Sequence, residues 1–178
     1  MSWFSIAVAV LAQMPADGVA QVKKVDQLVP ALQKLATDPE VIRAVREQNA
    51  RRVSPGTIRE QDTAWMATPA LTPFKERLLN SACSRVLNRH RAKLGRVIAE
   101  AFAMDNQGAL VGSTRRTSDY WQGDEEKFQV PFTQGTQLRE KPFFDESSQS
   151  FVIQVSFPVR DGGRTIGALS VGISLMDL

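Results

Sequence analysis

The feature that most constrains this chain is a change of period near Gly95. Before it, apolar residues recur every three to four positions; after it, they alternate every second position. A helical half followed by a strand half implies an α+β fold, in which helices lie on an antiparallel sheet that hairpins can build. With 178 residues and 43% hydrophobic content, the chain suits one domain with a real core, and a disordered chain is excluded.

Within the first half, Val25, Leu28, Val29, Leu32, Leu35 and Ala36 mark one face of an amphipathic helix, with Pro30 placed to kink or restart it. Asp38 and Pro39 open a second helix carrying Val41, Ile42 and Val45, to about Asn49. Ser54-Pro55-Gly56 reads as a turn. Thr57 and Glu60 then form a capping box for a short helix with Ile58, Asp62 and Trp65, whose indole docks it on the body. Thr68-Pro69 and Thr72-Pro73 are two further starts, and from Phe74 a helical period runs through Leu78, Leu79, Ala82, Val86 and Leu87 to about Leu94.

In the second half, Val97 to Met104 and Ala109 to Thr114 flank Asp105-Asn106-Gln107-Gly108 as a hairpin. Later, Phe151, Ile153, Val155, Phe157 and Val159 form one strand face, with Val152, Gln154 and Ser156 on the other. Asp161-Gly162-Gly163 turns the chain into a last strand, Thr165 to Leu175, where Gly167 and Gly172 allow close approach of a neighbour. About five strands are expected.

Between the strand pairs lies Thr117 to Phe128, TSDYWQGDEEKF, preceded by Arg115 and Arg116. It gathers aromatic faces, guanidinium groups and the carboxylates of Asp119, Asp124, Glu125 and Glu126, the mixture by which small polar ligands are recognised. The alternative is an ordinary β-to-helix connection in which Tyr120 and Trp121 cap the core and Asp124 to Lys127 form a solvated turn.

Charge and soft ligands narrow the function. Lys and Arg number 22 against 19 Asp and Glu, an excess too small to call for nucleic acid. Arg85, Arg89, His90, Arg91, Lys93 and Arg96 line a basic helix face that could meet phosphates, but no nucleic-acid-reading motif accompanies them, and a solvated face is expected. Cys83 and His90 are the single cysteine and histidine; no intramolecular disulfide or all-protein zinc site can form, and any metal would need oxygen ligands. Cys83 reads as a small core residue and His90 as exposed. HExxH and GxSxG are both missing, which weighs against the competing reading of a hydrolytic or metal-dependent enzyme. No cofactor is expected.

Residues 1–20 carry an apolar run from Trp3 to Leu11, with Val10 and Ala12 as a Val-x-Ala cleavage site, and read as an export signal whose basic n-region is missing, the alternative being a buried N-terminal helix. The run is too short for a membrane span, which needs roughly 20 residues.

With these elements placed, the chain resembles the extracytoplasmic PAS-like sensor domains called PDC or Cache domains, of the single-module kind. The resemblance covers 21–178 and rests on AVREQNA (Ala44 to Ala50), the trio Ile58, Asp62 and Trp65, EAFAMDNQGALVG (Glu100 to Gly112), TSDYWQGDEEKF, FDES (Phe144 to Ser147) and QVSFPVRDGGRTIGALSVGI (Gln154 to Ile173). It implies N-terminal helices packed on a roughly five-stranded antiparallel PAS-like sheet, with a small molecule bound on the opposite sheet face. It further implies that Arg115, Asp119, Tyr120, Trp121 and Asp124 lie near the ligand, over a floor of Phe102 and Ser156. The ligand would be an amino acid, amine or carboxylate, the location periplasmic, and nucleic acid not a partner. Family members continue into a membrane helix and signalling module, whereas this sequence stops at Leu178; a membrane-bound signalling partner is therefore expected.

Overall fold

The computed structural model describes residues 18–145 and 150–178. The export-signal reading, and part of the FDES segment, fall outside the described residues. No described helix is long and apolar enough to cross a membrane.

Among the described residues five helices precede the sheet: α1 (Gly18–Ala36), α2 (Pro39–Ala50), α3 (Pro55–Met66), α4 (Pro73–Leu79) and α5 (Ala82–Leu94). Pro30 does not restart α1, which runs through it as one helix. Caps fix the remaining starts. Asp38, Ser54, Thr72 and Ser81 each accept a backbone N–H from the first turn that follows, and proline opens α2, α3 and α4.

Three boundaries differ from the sequence expectations. Ser54-Pro55-Gly56 is no separate turn, and Thr57 is not the cap: Ser54 Oγ takes the Thr57 N–H at 3.1 Å and Pro55 fills the first position, where a missing N–H costs nothing. Thr68-Pro69 opens no helix; the Thr68 and Ala70 carbonyls are instead held by the buried Lys75 ammonium. The single helix expected from Phe74 to Leu94 is two, broken at Asn80 and Ser81, because Ser81 caps α5. The apolar period survives that break, and for this reason it conceals it.

The sheet comprises β1 (Ile98–Met104), β2 (Leu110–Ser113), β3 (Leu138–Arg139), β4 (Phe143–Asp145), β5 (Ser150–Asp161) and β6 (Arg164–Ser174). Its order is β2-β1-β6-β5-β3, with β4 also on β5, and all pairings are antiparallel. The strand beyond the expected five arises because the outer edge is split: β3 and β4 pair with successive parts of β5, and Pro142 lies between them, where an edge tolerates a missing donor. A short helix, α6 (Glu126–Gln129), ends the central stretch, and an irregular turn follows it.

Strand alternation gives the sheet two different faces. On the first, Ala101, Ala103, Ile153, Val155, Phe157, Leu169, Val171 and Ile173 meet α1, α2 and α5 through Val25, Leu32, Leu35, Val41, Val45, Val86 and Leu87. A second cluster wraps the β2 edge, joining Ile58, Trp65 and Leu78 to Phe102, Met104, Leu110, Tyr120 and Phe128. Trp65 and Phe102 are fully buried, as their periodic positions predict.

Candidate functional site

The face of the sheet turned away from the helical layer carries a row of polar residues. Register places Phe102 beside Ser170 and Ser170 beside Ser156; one step along, Glu100 lies beside Gly172 and Gly172 beside Gln154. Gly172 decides what this row can do. Lacking a side chain, it lets Glu100 and Gln154 reach over an intervening strand, and Gln154 Nε2 donates to Glu100 Oε1 at 2.9 Å. A Cβ at Gly172 would stand 3.0 Å from Glu100 Cγ, tighter than ordinary contact. Ser170 Oγ then donates to Gln154 Oε1 at 2.7 Å, and Ser156 Oγ to Ser170 Oγ at 2.9 Å.

All four residues are buried, and the chain of hydrogen bonds runs from Ser156 to its acidic end at Glu100. Burial raises the Glu100 pKa, the like charge of Asp145 adds to this, and the cations Lys127 and Arg115 together with the Gln154 hydrogen bond oppose it. Lys127, from α6, sits 5.8 Å over the Phe102 ring and 2.8 Å from Glu125. Beneath α6, Phe128 stacks on Phe132 at 5.0 Å. An acid, two cations, an aromatic floor and hydroxyls thus converge on one face.

Of the residues singled out in the sequence, Phe102 and Ser156 lie on this face by register, and the charge of Arg115 acts on Glu100. Tyr120 and Trp121 have other partners. Tyr120 packs among Trp65 and Phe74 with ring centroids 6.0 and 5.1 Å away, and burial pushes its phenol up to about 12. The Trp121 indole donates to the Gln107 carbonyl at 2.7 Å. Asp119 accepts from the Ser118 hydroxyl and the Gln122 amide, and Asp124 is exposed.

The Ile58, Asp62 and Trp65 trio explains how this stretch is positioned. Asp62 Oδ1 accepts the backbone N–H groups of both Tyr120 and Trp121, at 2.8 and 3.0 Å, and the Trp65 indole donates to the Thr117 carbonyl at 3.0 Å. One face of α3 therefore buckles the central stretch to the domain. Glu100, Gln154, Ser170 and Lys127 were missed from the sequence. The signal that could have found them is the pairing of the polar positions of β5 with Ser170 and Gly172 of β6, once the hairpin register is written out.

The Cys83 thiol is pushed up to about 12 by burial and by the charge of Asp38, as a core residue requires. His90 is half-buried rather than exposed, because Asp38 Oδ2 lies 2.8 Å from its Nε2. The basic helix face is partly engaged within the domain: Arg89 pairs with Glu40, and Arg91 Nε donates to the Ile98 carbonyl at 3.0 Å. Among the described residues no group of three His, Cys, Asp or Glu could hold a metal.

By its fold the chain is a PAS-like α+β domain. No family model matches it. No curated protein matches it either. Solved structures do. The ligand-binding domain of the Campylobacter jejuni chemoreceptor Tlp3, in complex with 4-methylisoleucine, is 14% identical with a TM-score of 0.46, over 83% of this chain and 61% of that one. The ligand-binding domain of the Pseudomonas aeruginosa amino acid chemoreceptor PctC, in complex with GABA, is 12% identical with a TM-score of 0.45, over 85% and 62%. That of the Pseudomonas fluorescens chemoreceptor CtaA, in complex with L-serine, is 13% identical with a TM-score of 0.39, over 87% and 61%. The chain spans less than two thirds of the length of these structures.

Proposed function

We propose that this is an exported, non-enzymatic sensor domain of the PDC or Cache type that binds a small organic ligand on the polar sheet face and acts through a membrane-bound signalling partner. The observation that carries this reading is the buried row Glu100, Gln154, Ser170 and Ser156. A sheet face that served only packing would be apolar, since burying a carboxylate costs several kcal/mol unless specific partners compensate. Here the polar groups are pre-aligned, and Arg115 and Lys127 flank the acid. Such a face suits a ligand with both an anionic and a cationic end, within the amino acid, amine and carboxylate class. Phe102 supplies apolar contact, and Arg115 can grip a carboxylate with its guanidinium fork. Tyr120, Trp121 and Asp119 act outside the site by fixing the stretch that follows Arg115, and Asp124 lies exposed at the far end of that stretch.

A thermal-shift screen of amino acids, amines and carboxylates tests the reading. A hit must lose affinity in Glu100→Gln and Arg115→Ala. If no compound stabilises the protein, or if both variants bind as the parent does, the polar face is not a ligand site. Export is tested separately by N-terminal sequencing from the native host, where a mature start near Gln13 or Gln21 is expected.

A further inference from the structure

A second concavity lies away from the polar sheet face. It opens where α2, α3 and α4 meet the edge strand β2, and its volume is about 410 Å³, within the range of small-molecule sites. We propose that this cleft is a second ligand site, taking a carboxylate carried on an apolar, ring-sized body. Its independence from the first site is geometric: the two share no residue among Glu100, Phe102, Arg115, Gln154 and Ser156.

The chemistry of the lining names the ligand class. Phe74 and Tyr120 meet edge-to-face at 5.1 Å and form an aromatic wall, and Leu110 adds apolar surface. Two guanidinium groups reach the cleft from different elements, Arg51 just past the end of α2 and Arg77 on α4. Neither has a hydrogen-bond or ion-pair partner among the described residues. The one acid of the lining, Glu47, is already drawn along its own helix toward Arg43, 3.9 Å away. An aromatic wall with two unpaired forks therefore selects an anion, and carboxylate geometry matches the fork in bidentate fashion. Arg51 lines the same cleft as Phe74 and Tyr120, and its charge opposes the rise that burial and Asp105 give the Tyr120 phenol.

Phenylacetate is the probe, with benzylamine and benzyl alcohol as isosteric controls of opposite and zero charge. Binding is measured by calorimetry and by NMR on the whole chain. Phenylacetate is expected to bind and to perturb the signals of Phe74 and Tyr120, with about tenfold weaker binding in each of Arg51→Gln and Arg77→Gln, the scale of losing one charge-assisted contact. Both arginines are exposed, so these variants keep the fold. Arg115→Gln, on the other face, should leave phenylacetate binding unchanged while weakening a ligand of the polar sheet face. The proposal is overturned if phenylacetate does not bind, if benzylamine or benzyl alcohol binds as tightly, if Arg51→Gln and Arg77→Gln both stay within about twofold of the parent, or if Arg115→Gln alone abolishes binding.

Discussion

Glu100 is a carboxylate in the middle of an otherwise apolar strand, and its environment fixes how the protein should respond to pH. Its pKa is raised in the folded chain, so folding takes up a proton between the ordinary carboxylate pKa and the higher folded value. The sign follows: Glu100 disfavours folding once the pH lies above its folded pKa, and the penalty disappears as the pH falls to the ordinary range. Glu100→Gln keeps the hydrogen bond to Gln154 in reach and removes the charge. It should raise the melting temperature at neutral pH and flatten the rise in stability on mild acidification, measured by calorimetry across pH 4 to 8. If the variant and parent show the same pH profile, the carboxylate is solvated. Trp65 is a different kind of residue, fully buried and hydrogen-bonded to Thr117. Trp65→Ala should cost about 3 to 5 kcal/mol in denaturant unfolding. That Trp65 would be buried was legible from its place on a helical face. The role of Glu100 was not, because it depends on the bare position at Gly172, on the neighbouring strand in the register but far away in sequence.

At the scale of elements, the junction of α1, α2 and α5 turns on Asp38. Burial works to raise its pKa, but the hydrogen bonds from His90 and the Glu40 N–H and the charges of His90 and Arg89 win and lower it. Asp38 therefore contributes stability that is present above the ordinary carboxylate range and is lost as the pH falls through the lowered value. Asp38→Asn retains a capping oxygen and should lose only the acid-sensitive part, whereas Asp38→Ala should cost about 1 kcal/mol more by removing the cap. Equal losses in urea unfolding would show that the cap carries nothing. The Asp38-Pro39 start was readable in sequence, since a cap is a local signal. The α4 to α5 break was not, because Ser84 makes it worthwhile through distant partners: its hydroxyl donates to the Leu78 carbonyl at 2.6 Å and accepts the Ser113 N–H of β2 at 2.9 Å. Close packing there leaves no room at Gly112, where a Cβ would stand 2.7 Å from Ser84 N. Gly112→Ala should cost about 1 to 3 kcal/mol by overpacking, read as a lower urea midpoint.

Across the whole molecule, the sheet divides the labour between its faces. The first is apolar and covered by three helices; the second carries the polar row beside the apolar Phe102 and Met104, and α6 with the Phe128 and Phe132 pair lies along its border. The alternation of β5 exposed this division in sequence, and the period change at Gly95 exposed the order of helices and sheet. Convergence of Arg115, Lys127 and Glu100 was illegible, since it needs three separate segments folded against each other. Because the packed face secures the fold, a ligand on the polar face should add stability by mass action without reshaping the core. At 100 times its dissociation constant, such a ligand should stabilise by about 2.7 kcal/mol. That increment should depend on ligand concentration and shrink toward zero in Arg115→Ala, while the unliganded stability of the variant stays close to the parent's. Urea titrations of both proteins with and without the ligand separate the two contributions. A stabilisation that persists unchanged in Arg115→Ala would place the ligand elsewhere on the domain, and the polar row would then be a purely internal network.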